Sequence, residues 1–285
     1  MPVAALRGRG EMDTLVLTAA DGAHAELYLA GAHLTSWVPA GAAEQLFVSA
    51  RSAYTPGTAI RGGVPVIFPQ FGPGPIPRHG FARTSTWEVA AAGESPTGAA
   101  RATLALRDSE TTRRVWPFAF EAQLGVELLG QTITVSLGIG NPGPAPLTFT
   151  AALHTYVAVA DIARATVEGL AGVPYRDQTR GNASVVDEAP GLTFEREVDR
   201  LYVRTPRELR LHDGRGPDAR VVAIHADGFP DAVVWNPWAE KARALDDLAD
   251  DEYQRFVCIE AAAAAEPVVV ALGARWTGAQ RLTLL

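Results

Sequence analysis

Apolar and polar residues alternate with a period of two in short runs along most of this chain. "AHAELYLA" (23–30), "ATLALRD" (102–108), "FEAQLGVELLG" (120–130), "QTITVSLGIGN" (131–141) and "LTFTAALHTYVAVA" (147–160) show it, as do "RVVAIHA" (220–226), "DAVVWN" (231–236), "YQRFVCIE" (253–260) and "PVVVALGARW" (267–276). Such runs read as β-strands with one buried face. Clusters such as "NPGPAP", "HDGRGPD" and "HADGFPD" separate them and supply turns. Helical composition is confined to "WAEKARALDDLAD" (238–250), enough for one or two turns. Residues 1–12 read as a loose N-terminal arm, and 13–285 as a single domain with no repeat and no linker. The expected class is all-β, a large antiparallel sandwich with few short helices; a barrel is the alternative.

Composition narrows the function classes. A chain of 285 residues is long enough to bury a large core. Its net charge of −7 argues against nucleic acid, which favours a basic face. No window approaches the ~20 apolar residues of a membrane span. "MPVAALRGRGEMD" turns charged before any secretory pattern develops, so the expected location is cytoplasmic, away from membranes. The single Cys258 suits a reducing compartment and excludes a cysteine-built zinc cluster. There is no Gly-rich phosphate loop and no nucleophile elbow.

Four stretches could carry chemistry. "AIRGGVPVIFPQFGPGPIPRHGFAR" (59–83) crowds Arg61, Arg78, His79 and Arg83 around a short apolar run in an acidic chain. Its glycines let backbone approach a ligand, and its guanidinium forks suit phosphate or carboxylate oxygens. Alternatively, each arginine pairs with an acidic side chain, and His79 only braces the loop. In "AALHTYVAVADI", His154 shares a strand face with Ala152 and Tyr156, either as a packed histidine or as a proton carrier. In "DEYQRFVCIEAA", Glu260 shares a face with Phe256 and Cys258, either at a surface end or buried with partners. A histidine and a desolvated glutamate could exchange protons on either side of a sugar's anomeric carbon. In "DAVVWNPWAEKA", Trp235 and Trp238 could wall a sugar's C–H face, or be core aromatics at a tight turn.

These stretches, in this order, resemble the aldose 1-epimerase superfamily. The resemblance runs from about residue 31 to the C-terminus on "GAHLTSW", "AIRGGVPVIFPQFG", "RHGFAR", "LHTYVAVADI", "VEGLAGVPYRDQT", "VVWNPW", "DEYQRFVCIE" and "RWTGAQRLTL". "RGGVPVIFPQFG" followed by "HGFAR" is specific to its phosphosugar branch. The resemblance implies a β-supersandwich of the galactose mutarotase-like kind, a monomer without cofactor or metal, and a small-molecule phosphosugar as substrate. It implies that His154 is the general acid and Glu260 the general base, interconverting the anomers of a hexose 6-phosphate, foremost glucose 6-phosphate. It implies that Arg61 and Arg83 hold the phosphate, that His79 and Gln70 lie in the same cleft, and that Asp177 meets a sugar hydroxyl. Trp235 is the expected apolar wall. Two departures stand out: "RTSTW" where an Asn-Trp pairing often follows the arginine, and the alanine-rich "EAAAAAEP" after Glu260. An epimerase of unphosphorylated aldoses and a non-catalytic carbohydrate-binding protein are the rival readings.

Overall fold

A computed structural model describes residues 2–214, 216 and 219–285. The alternating runs form three antiparallel sheets of four, eight and nine strands. In the nine-stranded sheet, the strand Glu121–Leu129 buries Ala122, Leu124, Val126 and Leu128 and leaves Gln123 and Glu127 exposed. This is the pattern of a sheet with one covered face. The covering layer is the eight-stranded sheet. Along one path its strands run Ala183–Val185, Tyr175–Asp177, Val198–Tyr202, Asp231–Asn236, Phe256–Val270, Leu147–Leu153 and Val66–Ile67; Tyr156–Ala158 also pairs with Phe256–Val270. The main core lies between these two layers and takes in the smaller sheet.

The eight-stranded sheet is covered on both faces near its centre. All six residues of Asp231–Asn236 are buried: Ala232 and Val234 join the main core, while Val233 and Trp235 join a second apolar cluster on the opposite face. That second cluster includes Phe47, Ile67, Tyr156, Phe256 and Cys258, and it forms the floor of a cleft. The all-β sandwich expectation therefore holds, and the barrel does not.

Two local expectations are corrected. Residues 1–12 are not a loose arm: Val3–Arg7 is a strand pairing with Asp13–Thr18. The runs at 253–260 and 267–276 are not two complete strands either. Phe256–Val270 is one strand of 15 residues, and Arg275–Leu284 begins only after a turn. The alanine run hides this continuity, because alanine has low β-propensity. Here Ala261 and Ala263 pack into the main core and Ala262 into the cleft floor, so small side chains fit between two crowded layers. The strand bulges beyond them, and Asp231 Oδ2 accepts from the backbone N–H groups of Ala264 (3.1 Å) and Ala265 (2.8 Å).

Candidate active site

The cleft face of the eight-stranded sheet carries alternate residues of four neighbouring segments: Asp199 and Leu201, Val233 and Trp235, Cys258 and Glu260, His154 and Tyr156. His154 lies in a two-residue break between Leu147–Leu153 and Tyr156–Ala158, where the chain leans away to donate from His154 N–H to Pro65 O at 3.0 Å. The register is the same on both sides of the break, with Leu153 opposite Ala261 and Tyr156 opposite Cys258. It sets His154 opposite Glu260, and His154 Nε2 lies 3.3 Å from Glu260 Oε1.

Both groups are buried, Glu260 to 1% exposure. Among the described residues, neither Glu260 oxygen nor His154 Nδ1 has a hydrogen-bond partner. Buried polar atoms are rarely left so, which marks a place where a polar ligand would complete the site. Burial pushes the Glu260 carboxyl well up, helped by the Asp199 charge and opposed by Arg78. Burial also pushes His154 well down, reinforced by His79, Arg61 and Arg83. Tyr156 stacks on the imidazole at 5.0 Å, and Trp235 meets it edge-on at 6.0 Å, so the ring is held in place by packing.

The cations come from the loop-rich stretch, whose backbone is shaped by glycine. Gly63 has φ +60°, and a Cβ there would lie 2.2 Å from Leu34 O; Gly80 has φ +69°, and a Cβ would lie 2.2 Å from Phe68 O. Arg61, Arg78, His79 and Arg83 all reach a cavity of about 300 Å³ that His154, Trp235 and Glu260 also line. They are not equivalent. Arg61 donates from Nε to Asp247 Oδ1 and from Nη1 to Tyr156 Oη, both at 3.0 Å, so the pairing alternative is realised there. Arg83 donates from Nη2 to Arg78 O at 2.9 Å and leaves its buried Nε unpartnered. Neither Arg78 nor Arg83 has a carboxylate partner among the described residues. His79 has φ +67°; its Nδ1 faces the Gly72 N–H and its Nε2 faces Arg78 Nε, each at 3.3 Å. Burial and the three arginines push its pKa down to about 3, which keeps the ring neutral.

Two expected residues fall outside the lining of the cavity. Asp177 caps a short helical turn, accepting at Oδ1 from Thr179 N–H (3.0 Å) and Thr179 Oγ1 (2.6 Å). Gln70 braces the loop, donating from Nε2 to Gly72 O and Ile76 O, each at 3.1 Å. Asp199 lines the cleft instead. Its Oδ1 accepts from Gln178 Nε2 at 2.7 Å, its Oδ2 lies 4.0 Å from Lys241 Nζ, and burial raises its pKa to about 6. The signal in the sequence was a lone carboxylate inside the strand-like "VDRLYV". Among the described residues, no group of three or more His, Cys, Asp or Glu side chains is arranged to hold a metal ion, and no helix is long and apolar enough to cross a membrane.

Known proteins share this arrangement of sheets and sequence. Residues 13–283 match the family described as aldose 1-epimerase. A protein of Cenchrus ciliaris named "Putative glucose-6-phosphate 1-epimerase" is 36% identical over 275 residues, covering 94% of this chain and 83% of its own. One of the same name from Escherichia coli K12 is 35% identical, covering 93% and 88%. A crystal structure of a Salmonella typhimurium protein titled "putative mutarotase" superposes with a TM-score of 0.90 at 30% identity, over 99% of this chain and 93% of that one. More distant galactose mutarotase-like structures, such as one from Lactobacillus casei at 17% identity and a TM-score of 0.74 over 95% of this chain and 100% of that one, share the fold. On sequence over nearly its whole length and on its fold, this chain belongs to the aldose 1-epimerase family, whose members are isomerases acting on sugars.

Proposed function

We propose that this enzyme interconverts the α and β anomers of a hexose 6-phosphate, glucose 6-phosphate foremost. The observation that carries the reading is that the facing His154 and Glu260 share one cavity with three guanidinium groups, two of which lack a carboxylate partner among the described residues. The cavity volume of about 300 Å³ is at the small end for small-molecule sites and suits one hexose with its phosphate toward the arginines. The names of the relatives from Cenchrus ciliaris and Escherichia coli point to the same substrate class.

In this mechanism Glu260, as carboxylate, takes the proton from the C1 hydroxyl while protonated His154 gives one to the ring oxygen. The C1–O5 bond breaks, C1 becomes the aldehyde carbon, and rotation about C1–C2 presents its other face. On closure the ring oxygen attacks C1, its proton passes back to His154, and Glu260 protonates the new hydroxyl. Acid–base transfer of this kind contributes about 10²–10⁴-fold. Arg83 and Arg61 bind the phosphate, a part of the substrate that does not react, and that binding holds C1 and O5 over the pair. Asp199, oriented by Gln178, is placed to accept from a sugar hydroxyl, and Trp235 offers an apolar wall.

Magnetisation-exchange NMR on glucose 6-phosphate tests the reading directly. Catalysed α–β exchange that exceeds that of free glucose at equal concentration is the expected result. Equal exchange on both sugars would assign the site to unphosphorylated aldoses, and binding without exchange would make the protein a sugar-binding module.

A further inference from the structure

His154 and Glu260 are two seats 3.3 Å apart. The acid–base step described above needs one proton in the pair, seated on His154. The surroundings of the two seats differ. His154 is faced by His79 and Tyr156, whose ring centroids lie at 5.8 Å and 5.0 Å, and beyond them by cations. Arg61 binds Tyr156 Oη at 3.0 Å, and Arg83 lines the same cavity. Glu260 is faced by Asp199 and Arg78, with Cys258 beside it, buried and un-ionised. Asp247 pairs with Arg61 at 3.0 Å and also acts on Arg83 from farther off, but Arg83 has no ion pair of its own among the described residues.

We propose that an oxyanion held by Arg61 and Arg83 moves the shared proton from Glu260 to His154, so that the enzyme also turns over unphosphorylated aldoses when inorganic phosphate fills the cation end of its cleft. The inference rests on the hexose 6-phosphate reading and deepens it: the phosphate switches the acid on as well as anchoring the sugar.

The direction follows from the charges. In the empty cleft the two guanidinium groups oppose a second cation at His154, burial opposes both ionised forms, and the proton stays on Glu260. A phosphate dianion cancels the repulsion at His154. The proton then leaves the Glu260 carboxyl oxygen for His154 Nε2, giving carboxylate and imidazolium with no change in proton count. Arg78 acts at the other seat and favours the carboxylate, which assists the transfer as long as it is not itself neutralised. A free aldose brings no anion and meets the pair with its proton in the wrong seat.

The test uses the intact wild-type enzyme with α-glucose, inorganic phosphate as the probe and polarimetry as the readout, after subtracting the buffer-catalysed rate measured without enzyme. The enzyme-dependent rate on glucose is expected to rise saturably with phosphate, by about tenfold for each unit by which the affinity of His154 for its proton is restored. Arg83→Ala is expected to lose that activation. Phosphate that inhibits glucose 6-phosphate turnover competitively but leaves the glucose rate unchanged would overturn the switch and keep the anchor. Phosphate that neither inhibits nor activates would overturn both the switch and the assignment of the cation end.

Discussion

His154 and Glu260 meet across a break in strand pairing: the imidazole Nε2 lies 3.3 Å from the carboxyl Oε1, and neither carboxyl oxygen has a hydrogen-bond partner among the described residues. Sequence separates them by more than a hundred positions, and the antiparallel register closes that distance by placing them opposite one another. If they act as one proton-transfer unit, removing either should cost about 10²–10⁴-fold in kcat. The double variant should be little worse than the worse single, because partners in one step are not additive. Exchange NMR on His154→Ala, Glu260→Gln and the pair together checks this. Fully additive losses would mean that the two act in separate steps.

Much of this pair was legible before any coordinates, and the reason is geometric. Period two assigns His154 and Tyr156 to one face and Cys258 with Glu260 to another, and both faces prove to be the cleft face of one sheet. Which strands are neighbours is set by tertiary packing, so the contact itself could not be read. The same limit explains Asp177 and Gln70. Both sit in family-like motifs, but short polar side chains often satisfy nearby backbone groups first, and each does so here. It explains Asp199 as well, a mid-strand carboxylate whose role depends on Gln178 and Lys241 coming close from elsewhere.

The two arginines expected at the phosphate differ in how far they are already engaged. Arg61 is tied to Asp247 and Tyr156, while Arg83 makes only a backbone contact through Nη2. Arg83→Ala should therefore raise KM for glucose 6-phosphate by about tenfold to a hundredfold, the value of charge-assisted hydrogen bonds lost. Asp247→Asn should act in the opposite direction. It removes an anion that competes with the phosphate, in a half-exposed pair worth a factor of about two to five, so KM should fall and the effect should fade with added salt. An unchanged KM in Arg83→Ala would place the phosphate elsewhere.

Asp177 and Asp199 should separate cleanly by kinetics. Asp177→Ala removes a cap that accepts two bonds from Thr179, and should cost about 1 kcal/mol of stability with kcat/KM unchanged. Asp199→Asn keeps the shape of the side chain but makes it a poorer acceptor for a sugar hydroxyl, and should lower kcat/KM while leaving the melting temperature nearly unchanged. A panel of hexose 6-phosphates epimeric at C2 and C4 would then show which hydroxyl Asp199 meets, as the sugar whose rate falls least. Reversal of the two phenotypes would restore Asp177 to the site.

His33 couples stability to pH through a position outside the cleft. The ring is fully buried, Nε2 lies 2.7 Å from Gly62 O, and Nδ1 has no partner among the described residues. Burial lowers its pKa to about 4, with a further push from Arg83. The native state thus refuses a proton that the unfolded chain accepts below about pH 6.5. Stability from this group is complete above that pH and is lost as pH falls toward 4, reaching a cost of about 2 kcal/mol at pH 5. Raised carboxyls such as Asp199 and Glu260 work in the opposite sense, so the wild-type profile alone cannot isolate the effect. The comparison that isolates it is His33→Gln, whose amide can still reach the Gly62 carbonyl and cannot titrate. Urea unfolding at pH 7.5 and pH 5 should show the wild type losing about 2 kcal/mol more than the variant over that interval. Parallel losses would mean that His33 is protonated in the folded protein, with Nδ1 reaching a partner that the packing around Gly62 and Gly63 does not provide.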